Sequence, residues 1–175
     1  MRSTVLTIIC AVLLGSATFA QLGTGPTAPA PIPQPGLTGK RVCVADVANS
    51  SLKSVITDNL KERMVDDLQK EKINAYNAYL VTMLADRIGM SPENKIAAKR
   101  QKCDFVLLSE VANPTVTDVN ADHLKVDFAV FKKGDWAKPA QSGSIATAQA
   151  TDPTAVSLEA VDKLIAQLLP TFKQK

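Results

Sequence analysis

The chain is poor in the residues that carry most enzyme chemistry. It has one histidine, three cysteines, one tryptophan and 5% aromatic residues in 175. His123 stands beside Asp122 at the start of an apolar stretch. A general base or metal ligand there would need further His, Cys or carboxylate groups at defined spacing, and none is arranged around it. An exposed loop position is the plainer reading. No serine-nucleophile elbow, phosphate loop or dinucleotide glycine pattern occurs. No Cys-x-x-Cys pair occurs either, which removes redox catalysis of that type. The sequence thus predicts a non-enzymatic chain with no metal and no cofactor.

Charge of one sign is also lacking. The net charge is +3, and no run of Lys and Arg is longer than three. Binding to nucleic acid needs a basic face, so that class is not expected. The densest basic stretch, Lys99-Arg100-Gln101-Lys102, reads as a helix end, where cations complement the negative end of the helix dipole.

What is present first is a leader. Arg2 supplies a positive start, and Val5 to Leu14 form an apolar core of about ten residues, too short to span a membrane. Ser16-Ala17-Thr18-Phe19-Ala20 then places small residues before a cut. Residues 1–20 are read as a secretory signal peptide cleaved after Ala20; an uncleaved anchor is the competing reading. Cys10 follows Ile8-Ile9, where a lipoprotein signal wants a small residue, so no lipid anchor is expected there. Cleavage removes Arg2 and lowers the charge to +2. Cys43 and Cys103 remain, and export permits them to pair. Two buried free thiols fit equally well.

Residues 21–39 carry Pro26, Pro29, Pro31, Pro33 and Pro35, with no charge and no apolar period. Such a segment cannot bury enough to offset its ordering entropy. It reads as an extended tether of roughly 50 Å at most, either a plain leader or a ligand for a proline-binding groove.

One α/β domain is expected over residues 40–175. Arg41 to Val47 suits a buried strand. Asn49-Ser50-Ser51 follows as a helix cap, and also matches a glycosylation acceptor, a common tripeptide. Leu52, Val55, Ile56, Leu60, Met64 and Leu68 recur at helical spacing over about Leu52 to Lys70. Asp66 and Asp67 are neighbours on that helix and point apart, so they form no dyad. Ile73 to Leu80 is read as a strand after the Lys70-Glu71-Lys72 turn. Ser91-Pro92-Glu93 opens a second helix ending near Lys102. Asp104 to Ala112 is a near-continuous apolar run, the mark of a central strand. Leu124 to Phe131 alternates as a strand, Lys133-Gly134-Asp135 turns, and Gly143 to Thr151 returns as its hairpin partner. Asp152-Pro153 caps a last helix with Val161, Leu164, Ile165, Leu168 and Leu169 as its stripe, and with Pro170 near its end.

The order is β-α-β-α-β-β-β-α, a mixed five-stranded sheet in a two- or three-layer sandwich. The first three strands should be parallel and the last two antiparallel. The opening strand with its polar turn, the helix running into Cys103-Asp104-Phe105-Val106-Leu107, and the closing hairpin and helix together resemble a group of small exported bacterial α/β domains. The group includes the TolB N-terminal domain, CsgG and LpoB. The resemblance spans about Lys40 to Lys173 and implies docking of other envelope proteins rather than catalysis. It has departures: no lipobox as in CsgG and LpoB, and no room for the TolB propeller.

Two surfaces carry candidate function. Trp136, flanked by Lys132, Lys133 and Lys138, is either an exposed contact point for another envelope protein or a turn residue folded back on the sheet. Asp46 and Glu110 fall near the carboxyl ends of predicted parallel strands, where open α/β sheets bind ligands, with Asn49, Ser50 and Asn113 nearby. Ordinary loop capping is their plainer reading. Exported interaction through the first surface is the leading expectation; a small-ligand or hydrolytic site at the second is the alternative.

Overall fold

The computed structural model describes residues 39–48, 54–81, 86, 88–111, 123–148 and 152–173. Five strands and three helices follow in order: β1 (Arg41–Asp46), α1 (Ser54–Lys70), β2 (Asn74–Val81), α2 (Pro92–Arg100), β3 (Phe105–Val111), β4 (Lys125–Lys132), β5 (Gln141–Ala146) and α3 (Pro153–Phe172). They form one mixed sheet in the order β2-β1-β3-β4-β5. β1 lies parallel to both β2 and β3, whereas β3, β4 and β5 are antiparallel. This is the α/β fold that the residue pattern predicts.

The layers follow from strand alternation. Val42, Val44, Phe105, Leu107, Val126, Phe128 and Val130 point to one face, where Leu60, Met64 and Leu68 of α1 and Val161, Leu164 and Leu168 of α3 cover them. Cys43, Ala45, Val106, Leu108, Ala129 and Phe131 point to the other face, under Ala98 of α2 and Met90 before it. The domain is therefore a three-layer sandwich. β3 is buried on both faces, as its apolar run requires.

Helix ends are set by local chemistry. Ser91 caps α2 by accepting the N–H of Asn94 at 3.2 Å, and Asp152 caps α3 by accepting that of Thr154 at 2.9 Å. At the other ends, α1 and α2 finish in the same motif. Ile73 N–H reaches Leu68 O and Lys72 N–H reaches Gln69 O; Cys103 N–H reaches Ala98 O and Lys102 N–H reaches Lys99 O. These are Schellman closures, with a buried apolar pair at each. The left-handed residue that such a closure demands is Lys72 (φ 64) in one and Lys102 (φ 55) in the other. Glycine usually takes that place, and a side chain there costs about 1–2 kcal/mol.

The clearest departures from the sequence expectation are at α2 and β5. α2 stops at Arg100, because Lys102 leaves the helical region. β5 runs over Gln141–Ala146 rather than 143–151; Thr147 closes the ladder against Leu124, and Glu159 then takes the N–H of Ala148. α3 has Pro170 near its end, as expected, and continues two residues past it, where Phe172 is buried with its ring 5.4 Å from that of Phe105. Asn49, Ser50, Ser51, Leu52 and Asn113 lie outside the described residues.

Candidate functional site: the strand ends and the hairpin

The disulfide lies beneath the start of the sheet. Cys43 of β1 and Cys103, just ahead of β3, are bonded with Cα atoms 5.7 Å apart. Both are buried. Adjacent parallel strands bring the two residues together, which their spacing in sequence left open. Tyr76 of β2 sits over the bond with its hydroxyl 2.8 Å from Cys43 Sγ. That hydroxyl donates to Gln101 O at 2.7 Å, and Arg41 donates to the same carbonyl at 3.1 Å. The Arg41 guanidinium lies 5.1 Å from the centre of the Tyr76 ring. Burial pushes the Tyr76 phenol up to about 12; Arg41 opposes the shift. Gln101 completes the group. Its amide accepts the N–H of Tyr79 at 3.1 Å and donates to Tyr79 O at 3.3 Å, as a neighbouring strand would. Gln69 similarly donates to Ala75 O at 2.7 Å. Two glutamines thus cover parts of the outer edge of β2, a common liability of sheets. No sequence signal announced them, because a glutamine pairs with a strand edge only once the fold has set it beside one.

The two strand-end carboxylates do not converge. Asp46 follows Val42 and Val44 on the α1 face and pairs with Lys61 of α1. Glu110 alternates with Ser109 and Val111 and so points to the opposite face, with Val106 and Leu108. A one-residue difference in strand parity separates them, and ligand binding by Asp46 and Glu110 as a pair has no geometric basis. Glu110 instead faces Asp127 across the β3–β4 ladder. Residues so placed have Cβ atoms about 5 Å apart. Asp127 was invisible as a partner in sequence, since only the hairpin register puts it there. Ser109, on the α1 face, is buried with its hydroxyl unpartnered among the described residues. It lines a cavity of about 10 Å³ with Val47, Met64, Val126 and Leu164. His123 is exposed ahead of β4. Among the described residues no three His, Cys, Asp or Glu side chains gather where they could hold a metal ion.

The β4–β5 hairpin is tied to the rest of the domain at several points. Lys133 N–H donates to Asp104 O at 2.8 Å, and Asp135 N–H to Lys132 O at 3.0 Å. Gly134 turns the chain at φ +96. Trp136 is half-buried and packs on the second core, and its carbonyl accepts the N–H of Met90 at 3.1 Å. Gly89 permits this approach, because a Cβ there would lie 2.7 Å from Ala137 O. Trp136 is therefore folded back in part on the sheet, and Lys132, Lys133 and Lys138, its neighbours in sequence, are exposed. Asp86 fixes the segment that receives it. This buried carboxylate accepts the N–H of Ser91 at 2.7 Å and the side-chain amide of Asn94.

Fold and site together define a class: a single three-layer α/β unit whose mixed sheet leaves β2 and β5 as outer strands. Solved structures share this arrangement. The chain is similar to two structures of the PelC dodecamer from Paraburkholderia phytofirmans. In one the TM-score is 0.56 at 14% identity, covering 78% of this chain and 90% of that one. In the other the TM-score is 0.55 at 15% identity, covering 74% and 88%. Lipoprotein GNA1162 from Neisseria meningitidis covers 75% of this chain and 99% of its own, at 16% identity and a TM-score of 0.49. For the two PelC structures, at such identities, the likeness is one of fold. No protein-family model matches the chain, and no curated protein matches it.

Proposed function

We propose that the chain is an exported, non-enzymatic interaction module of the bacterial cell envelope, carried on a Pro-rich leader and docking another envelope protein. The observation that carries the reading is the sheet. Among the described residues β2 and β5 each have a strand neighbour on one side only, the β2 edge being covered in part by Gln69 and Gln101, and a sheet edge is a ready template for pairing. PelC, with the same fold, is described as a dodecamer, which supports a domain of this shape being built into an assembly. The likeness to the TolB, CsgG and LpoB group points the same way. No helix among the described residues is long and apolar enough to cross a membrane.

The test is an affinity capture of the protein from crosslinked envelope extract of its host, with wild type and Trp136→Ala in parallel. One dominant protein partner, reduced in the variant while the fold is intact, supports docking through the hairpin. A capture without any stable protein partner refutes the reading. The hydrolytic or small-ligand alternative would have to rest on Glu110 with Asp127 instead of Asp46. A metabolite screen by thermal shift, with Asp127→Asn unchanged from wild type, would remove it.

A further inference from the structure

We propose that the end of the domain formed by the strand starts and helix C-termini is a docking surface for an anionic phospholipid bilayer. The fold creates this end. In each β-α unit the helix runs back against its strand, so the start of β1, the α1–β2 turn, the α2–β3 turn, the β4–β5 hairpin and the end of α3 share one side. Exposed Lys40, Lys72, Arg100, Lys102, Lys132 and Lys133 all lie there. The acidic residues of this end among those described are few. Asp104 accepts the Arg41 N–H at 2.9 Å and lies 3.6 Å from Lys133 Nζ, Glu71 meets Lys173 at 2.8 Å, and Asp67 in the last turn of α1 meets Lys70 at 2.6 Å; Asp135 is the fourth. The opposite end carries Asp46, Glu110, Asp152 and Glu159. Lys61 pairs with Asp46 and Lys163 with Glu159, and Lys125 begins β4, so that end is close to balanced and the excess of basic side chains lies at the strand-start end.

Helix dipoles alone would favour some cations here. They do not account for Lys72 and Lys102. Both occupy left-handed positions where glycine is free of strain, and both are exposed. Strained residues kept at a surface point to a use for their side chains. The charges come from four separate chain segments, a broad end rather than a groove. A planar array of lipid phosphates can meet them together, and a single extended polymer meets them less well. The half-buried Trp136 ring stands beside them, an amphipathic group suited to the headgroup region. The inference is independent of any protein partner.

The test uses the purified protein as exported, sedimented with vesicles of phosphatidylcholine alone or with about one-third phosphatidylglycerol, where each basic residue near the surface adds about five-fold in affinity. The variant is Lys72→Gly with Lys102→Gly, which relieves both strained positions and leaves the fold at least as heat-stable. The control is Lys125→Gln with Lys163→Gln, which removes the same charge elsewhere. The expected result is binding to the anionic vesicles only, lost on raising salt, weakened about 25-fold in the glycine variant and unchanged in the control. Equal weakening in variant and control overturns the proposal, as does equal binding to neutral vesicles. Release from anionic vesicles with retention on a heparin column would also overturn it, in favour of an acidic polymer.

Discussion

Removing the cross-link between Cys43 and Cys103 offers a quantitative test of the structure. The two cysteines are 60 residues apart in sequence, and a loop of that length, closed in the unfolded chain, corresponds to about 4 kcal/mol of stability in the chain-entropy account. For a domain of this size that is a fall in Tm of roughly 12–20 °C. Two comparisons separate the causes. Oxidised against reduced wild type isolates the cross-link, because both sulfurs stay in the core. Reduced wild type against Cys43→Ala/Cys103→Ala isolates packing, because two buried sulfurs are lost beside Tyr76. The bond is inaccessible in the folded state, with Cys43 0% and Cys103 2% exposed. Dithiothreitol should therefore reduce it slowly without denaturant and fast near the unfolding midpoint. The assay is guanidinium denaturation followed by Trp136 fluorescence, with free thiols counted in parallel. Equal stability of oxidised and reduced protein, or rapid reduction of the folded state, would refute the reasoning.

Other substitutions follow from single groups. Ser109→Ala should raise stability by about 1 kcal/mol, since it removes a buried hydroxyl with no partner among the described residues; a loss measured by chemical denaturation would contradict this. Asp86→Ala strips partners from the Ser91 N–H and the Asn94 amide and should cost about 2–3 kcal/mol. It should also red-shift the emission of the lone Trp136, which hangs on the neighbouring Met90; unaltered emission would argue against that coupling. Tyr76 titrates at about 12 in the folded protein against 10.0 normally. The neutral phenol thus favours the folded state, and its contribution is complete below pH 10 and lost as pH rises toward 12. Tyr76→Phe should flatten that part of the stability profile, and an identical slope in the variant would exclude Tyr76 as its source.

Much of the fold was legible in the residues, and for identifiable reasons. Helix starts carry side chains that bond their own backbone, as Ser91-Pro92 and Asp152-Pro153 do. β3 is apolar on every side because both its faces are covered. β5 was placed two residues late because Gln141, Ser142 and Gly143 carry no apolar signal; their strand exists only through pairing with Val130, Ala129 and Phe128. The turn Lys70-Glu71-Lys72 was readable, but its left-handed lysine was not, since composition there would suggest glycine.

The sequence alone determined the element order, the Pro-rich segment and the poverty of catalytic groups, all properties of neighbouring residues and of composition. Tertiary structure decided what depends on residues distant in the chain. Strand pairing brought Cys43 to Cys103, set Gln101 against the β2 edge, and put four basic segments at one end. Strand parity separated Asp46 from Glu110 and gave Glu110 to Asp127 instead. Side-chain facing repeats every two residues along a strand, so one residue of register changes which groups meet, and register is fixed only when the strands pack.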